Sequence, residues 1–196
     1  MHPKIYNGFR EILSEHKVKG RILEVGAIPS AQSLIAMDIL QGNELVGVNM
    51  QGFDGFAGLK IIQANGNDMS MFPTGYFDCV VSNATIEHDK FFWRTCAEMR
   101  RVLRVGGLAV IGAPGYTVES GVISLDIPAP WLDDDEKSWR HCALTFVYHG
   151  APYDYYRFSP TAFREVIFEG YRDVTISSVM VPPRLLGFGF KADVAS

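Results

Sequence analysis

The chain has 196 residues, enough for one domain with a sizeable core and too few for two comfortable ones. A hydrophobic share of 47% beside 20% charged residues excludes extended disorder, and a formal charge of −4 excludes broad contact with phosphate backbones, which requires clustered Lys and Arg. Cys79, Cys96 and Cys142 are odd in number and show no CxxC or Cys/His ligand spacing, so they point to neither a disulfide framework nor a zinc centre.

The chain opens on MHPKIYNGFREIL, which lacks an apolar run after a basic start, and no stretch reaches roughly 18 consecutive apolar residues. The expectation is a soluble, cytoplasmic protein with no membrane partner. Ile5, Phe9, Ile12 and Leu13 fall at helical spacing, predicting an amphipathic helix over 4–17 that ends before Gly20. RILEV from Arg21 predicts a short buried strand, followed by a helix from Ser30 to Leu40 that stops at Gly42. ELVGVN and LKIIQA predict the second and third strands, and FDCVVS the fourth. The connections from Met50 to Leu59 and from Asn65 to Tyr76 carry no pattern for a long helix.

A helix is expected from Lys90 to Leu103, closed by Gly106 and Gly107, with LAVIGAP as the fifth strand. On that helix Arg94, Arg100 and Arg101, with Arg104 just beyond, read as a solvated face, so nucleic acid is not expected as a partner. From Pro114 to Tyr153 the alternation breaks into an irregular, aromatic and acidic stretch, expected to be a lid over the ligand crevice of an open α/β sheet. Its run Asp133, Asp134, Asp135, Glu136 lacks the DxDxDG calcium pattern and reads as a solvated helix start, with Trp131 and Trp139 packing it down and no metal expected. Ser159 and Pro160 form an N-cap and first-turn pair for a helix to about Phe168, and YRDVTISSVMV with LLGFGF predict a final antiparallel pair of strands. The alternation of short aliphatic runs with helical segments predicts a parallel sheet wrapped by helices.

The first strand-to-helix turn, EVGAIPSA from Glu24, keeps Gly26 where the backbone must approach a ligand. A dinucleotide-binding GxGxxG would need Gly at positions occupied by Ile28 and Ala31, and no GK followed by Ser or Thr is present for a phosphate loop. A cofactor without phosphate makes smaller demands, because no pyrophosphate needs a cradle of N–H groups.

At this point the chain resembles the class I S-adenosylmethionine-dependent methyltransferases, in particular the small-molecule, type 11-like group. The resemblance runs from about Arg21 to Pro114 and resumes from Tyr153 to Phe168. It implies a single-domain, Rossmann-like, doubly wound sheet of about seven strands, mostly parallel with an antiparallel C-terminal strand, plus the lid insertion. Of the family's first motif Glu24, Val25 and Gly26 match, whereas Ile28 and Ser30 do not. By similarity Glu24, Gly26 and Ala27 would line the amino-acid end of S-adenosylmethionine. The second strand normally ends in an acid that binds the ribose; here Asn49 precedes Met50, and an amide can still accept from one hydroxyl. In NGNDMSMF, the resemblance assigns Asp68 to the adenine amino group, with Met69 packing on the ring and Asn67 beside them. In FDCVVSNATIEHD it places Asn83 and Ala84 against the cofactor, and matches Glu87-His88 to an acidic-His pair common in the family.

Methyl transfer from a sulfonium is an in-line displacement that depends mainly on positioning, and a hydroxyl nucleophile gains from a general base. His88 is the first candidate for that base. His141 and His149, in or beside the lid, and Tyr155 and Arg157 of YDYYRFSP are candidates for the substrate pocket. The expected activity is methylation of a small molecule. The competing reading is a non-catalytic relative that binds a ligand or partner, favoured by Ile28, Ser30 and Asn49; a dehydrogenase is disfavoured by the failed glycine pattern. An aromatic surface leaves a homodimer contact open.

Overall fold

The computed structural model describes residues 1–53, 58–115, 153–180 and 183–193. Helix α1 (Pro3–Glu15) starts on His2, whose side chain accepts from the Lys4 N–H, and Pro3 sits in its first turn where a missing N–H costs nothing. Strands β1 (Arg21–Val25), β2 (Glu44–Asn49), β3 (Lys60–Gln63) and β4 (Phe77–Asn83) follow, then helix α2 (Phe92–Val102) and the long strand β5 (Leu103–Pro114). Past the undescribed stretch come α3 (Pro160–Ala162), continued by a wider turn over Phe163–Ile167, and strands β6 (Tyr171–Ser178) and β7 (Arg184–Lys191).

The seven strands of the described residues form one sheet in the order β3-β2-β1-β4-β5-β7-β6. β1 pairs in parallel with β2 and β4, β2 with β3, and β4 with β5, whereas β7 runs antiparallel between β5 and β6. This is the predicted Rossmann-like, mostly parallel sheet with an antiparallel C-terminal strand. Adjacent residues of the central strands point to opposite faces and divide the interior into two cores. Leu23, Val25 and Val80 pack with Met99 and Val102 of α2 and with Phe163 and Phe168, while Ile22, Cys79 and Val81 pack with Phe9 and Leu13 of α1 and with Leu34 and Met37.

Two predicted elements are corrected: Gly106 and Gly107 do not close α2, which passes at Leu103 straight into β5, and the segment after β1 changes type. In place of a helix from Ser30 to Leu40, the chain makes two single 3₁₀ turns, Leu34–Ala36 and Asp38–Leu40, with Met37 between them extended at ψ 135°. Glu24 of β1 accepts from the Ser33 hydroxyl and from the Leu34 and Ile35 N–H groups and so holds the first of these turns, while Leu34, Ile35, Met37 and Leu40 are buried in the core beside α1. Ser159 does cap α3, its Oγ accepting from the Ala162 N–H at 3.0 Å. The predicted lid, with His141, His149, Trp131, Trp139 and the acidic run, lies outside the described residues.

Candidate functional site

In this strand order β1 connects outward to β2 while its other neighbour, β4, begins the opposite half, so the loops at their carboxyl ends diverge and leave a crevice. A cleft of about 520 Å³ lies there. Its walls come from Val25, Gly26 and Ile28 after β1, Val48, Asn49 and Met50 at the end of β2, and Ala64 to Asn67 after β3. Ala84, Thr85 and His88 to Phe91 follow β4, Thr95 rises from α2, and Tyr153 and Tyr155 close the rim. Of the residues singled out from the sequence, Gly26, Asn49, Met50, Asn67, Ala84, His88 and Tyr155 line this cleft. Glu24, Ala27, Asp68, Met69, Asn83 and Arg157 do not.

The reasons are local. Glu24 is buried and turned toward the 3₁₀ segment, where its carboxylate accepts from the Ser33 hydroxyl and from the Leu34 and Ile35 N–H groups, each of the latter at 3.1 Å. It caps the segment that follows the turn. Burial raises its carboxyl above the ordinary value, opposed by these three donors. Gly26 has φ +88°, and a Cβ there would stand 2.0 Å from Thr85 Oγ1, so only glycine fits. The Gly26 and Ala27 N–H groups both donate to the Val48 carbonyl, at 2.9 and 3.1 Å, which carries the β1–β2 ladder past the turn. Neither N–H is free to cradle an anion, in keeping with the absence of a phosphate-loop pattern.

Asn49 Nδ2 donates to the Ala27 carbonyl at 2.8 Å and Oδ1 accepts from the Gln51 N–H at 3.0 Å, so this amide braces the first loop against the end of β2. Asp68 is solvent-exposed in a local turn, with Oδ1 accepting from the Ser70 N–H, and Met69 is wholly buried in the α2-side core. The motif thus presents Asn65, Gly66 and Asn67 to the cleft. Asn67 Nδ2 donates to Asp89 Oδ2 at 2.5 Å and to Thr95 Oγ1 at 2.8 Å; Thr95 Oγ1 donates to Asp89 Oδ2 at 2.7 Å, and Asp89 Oδ1 accepts from the Phe91 N–H. This clamp uses both amide hydrogens of Asn67. Asn65, Asp89, Lys90 and Thr95 were missed in the sequence because they lie on three separate segments; only Asn65, which opens NGNDMSMF, and Asp89, directly after the Glu87-His88 pair, stood within recognised motifs.

Past β4 the backbone turns sharply. Ala84 sits at φ +53°, a left-handed conformation that costs a non-glycine residue about 1 kcal/mol or more and that clusters at functional sites. His88, about one-fifth exposed, lines the cleft, and its Nε2 is 3.9 Å from Glu87 Oε1. Glu87 is fully buried, pushed by that burial up to about 7. Arg184 of β7 approaches Glu87 Oε1 at 3.5 Å, whereas Oε2 has no hydrogen-bond partner among the described residues. The Glu87 carbonyl accepts from the N–H groups of Tyr155 and Tyr156, fastening the aromatic segment beside His88. Arg157 lies behind this segment in a two-pronged pair with Asp154, at 2.5 and 2.6 Å. Tyr155, about half exposed, is left at the rim, its ring 6.2 Å from that of Tyr153.

For an adenosyl sulfonium the fit differs between the two ends of the cleft. At the β3–β4 side, the amides of Asn65 and Asn67 lie among Val48, Met50 and Phe91, an amphipathic surface suited to a nucleoside. At the β1 side the groups expected to meet the amino-acid end are engaged within the fold.

No curated protein matches the chain in sequence. Among solved structures, it is similar to a possible exported protein from Bordetella parapertussis, with 17% identity and a TM-score of 0.65 over 97% of this chain and 68% of the other. An S-adenosylmethionine-dependent methyltransferase from Archaeoglobus fulgidus gives 14% and 0.66, over 95% and 93%. The 1,6-didemethyltoxoflavin-N1-methyltransferase of Burkholderia thailandensis, solved with its acceptor and S-adenosylhomocysteine, gives 14% and 0.67, over 97% and 79%. Residues 23–111, which span β1 to β5 and every cleft wall except the Tyr153-Tyr155 rim, match the model of the methyltransferase domain. The central segment of the chain is thus similar to the methyltransferase domain, and its fold is the one seen in these S-adenosylmethionine-dependent methyltransferases.

Proposed function

We propose that the protein transfers a methyl group from S-adenosylmethionine to a small-molecule acceptor. The observation that carries this reading is the position of the cleft: it opens at the switch point between β1 and β4, within the segment that matches the domain, and Gly26, Asn67, Ala84 and His88 meet there. S-adenosylmethionine, when bound, supplies an electrophilic methyl on a sulfonium. The chain supplies position. The Asn67–Asp89–Thr95 clamp fixes one wall, the braced Asn49 another, and His88 faces the cleft beside Tyr155, where it can take the proton of an incoming hydroxyl or amine. Tyr155 and Tyr153 offer a flat, half-exposed surface for the acceptor. The relative that binds 1,6-didemethyltoxoflavin is consistent with an acceptor of that size.

No described helix is long and apolar enough to cross a membrane, and the thiols of Cys79 and Cys96 are buried and unpaired. A reducing, cytoplasmic setting accords with both. The test is calorimetric titration with S-adenosylmethionine and S-adenosylhomocysteine, with NAD as control. Micromolar binding of the first two without NAD binding is expected. Failure of both would favour the non-catalytic reading, to which the engagement of Glu24 and of the Gly26 and Ala27 N–H groups already lends weight.

A further inference from the structure

We propose that this site selects its donor by the adenosyl half and is nearly indifferent to the amino-acid tail, so that it accepts 5′-thioadenosines as a class. The proposal rests on the reading of the cleft as an adenosyl-sulfonium site.

Three observations carry it, on opposite sides of the cleft. First, the polar groups around β1 that could grip an α-amino acid are engaged in the fold. Both Glu24 oxygens accept hydrogen bonds from the Ser33–Ile35 segment, and the residue is 4% exposed; reaching an ammonium would undo three bonds at once. The Gly26 and Ala27 N–H groups, which could hold a carboxylate, share the Val48 carbonyl. Second, Ile28 stands on the same wall with 44% of its surface exposed, an apolar side chain facing a zwitterionic tail it cannot solvate.

Third, the opposite wall keeps polar capacity in reserve, held rigidly. Asn67 donates both amide hydrogens to Asp89 and Thr95, which leaves its Oδ1 as an acceptor unused by the described residues. Asn65 Oδ1 accepts from the Asn67 N–H, which leaves the Asn65 NH₂ as an unused donor two residues away. An acceptor on Asn67 and a donor on Asn65, both on this wall, are the two kinds of group that an adenine edge, with its exocyclic amine next to a ring nitrogen, can pair with. The charged side chains of Asp89 and Lys90 lie at this end too, Lys90 Nζ being 5.6 Å from the Phe91 ring centroid. Among the described residues, polar recognition is therefore concentrated on the nucleoside. A consequence is that tail-less thioadenosines compete with the methyl donor.

The measurement is calorimetric titration of the whole chain with S-adenosylhomocysteine, 5′-deoxy-5′-methylthioadenosine and adenosine. The expected result is that the first two bind with Kd values within about tenfold of each other. A preference for S-adenosylhomocysteine of about 100-fold or more would overturn the inference and leave the donor-site reading standing, since the tail would then be held by contacts beyond those identified. Binding of neither would overturn both. A second measurement separates the role of Glu24: in Glu24→Gln, S-adenosylhomocysteine affinity should stay within about threefold of the parent while thermal stability falls. A folded Glu24→Gln variant with affinity reduced more than about tenfold would place the carboxylate on the ligand and sink the proposal.

Discussion

Two buried glutamates show how the same side chain takes different roles from different surroundings. Glu24 finds three donors and works as a cap, whereas Glu87 keeps one oxygen without a hydrogen bond among the described residues. The charged groups facing Glu87 are Arg184 from β7, Arg157 and Asp154 from the aromatic segment, and His88 beside it. Burial outweighs the two arginines and raises its carboxyl from the ordinary value to about 7. Folding therefore holds the proton more tightly than the unfolded chain does. The stabilisation is complete below the unfolded value near 4.5 and is lost as pH rises through about 7, an effect of about 3 kcal/mol. Glu87→Gln should match the parent in denaturant unfolding at pH 4 and exceed it by that amount at pH 8. Next to it, His88→Ala should slow turnover by about 100-fold while leaving cofactor affinity unchanged, which single-turnover kinetics and calorimetry would resolve. In the motif after β3 the two neighbours should separate cleanly. Asn67→Ala should weaken S-adenosylhomocysteine binding by about tenfold or more, and Asp68→Ala should leave it within about twofold, because only Asn67 lines the cleft.

The turn between β1 and β2 decides the character of the site. With Ile28 and Pro29 in place of further glycines, the chain does not enter a helix whose N-terminus would face the cofactor; it makes two 3₁₀ turns capped from below by Glu24. Gly26 is indispensable for a different reason from the one its motif implies. Its left-handed backbone and the absence of a Cβ let Thr85 pack onto the turn and donate to the Val25 carbonyl. Gly26→Ala should cost about 2 to 4 kcal/mol in chemical denaturation, from strain at positive φ and from overlap with Thr85. Adding Thr85→Ala should recover part of that loss, with a coupling of about 1 to 2 kcal/mol between the two positions. Additive effects would separate the turn from the loop after β4.

Across the whole molecule, the cleft is made by segments distant in sequence that meet at the edge of the sheet, and a ligand seated there ties β1, β2, β3 and β4 to the Tyr153-Tyr155 rim. Binding should therefore stabilise the entire fold. With S-adenosylhomocysteine at 100 times its Kd, the gain is about 2.7 kcal/mol, and for a domain of this size the Tm should rise by about 5 to 10 °C. NAD should leave the Tm where it is; a comparable rise with NAD would remove the donor assignment.

The strands, the cap at Ser159 and the antiparallel end of the sheet were legible in the sequence, because short aliphatic runs, capping residues and turn glycines act over a few residues. That Gly26, Ala84 and His88 line the cleft was legible as well, since each follows a strand whose sequence announces it. The 3₁₀ segment was not, because its start at Ser33 to Ile35 is held by Glu24, which reaches it from another element. That Asn67 and not Asp68 lines the cleft was equally hidden. Adjacent residues in a turn face different directions, and only the Asp89 and Thr95 side chains, brought in from the far side of β4, show which one is held toward the cleft. Local patterns determine the elements; which polar groups remain open to a ligand is determined by the partners that the folded chain has already given the others.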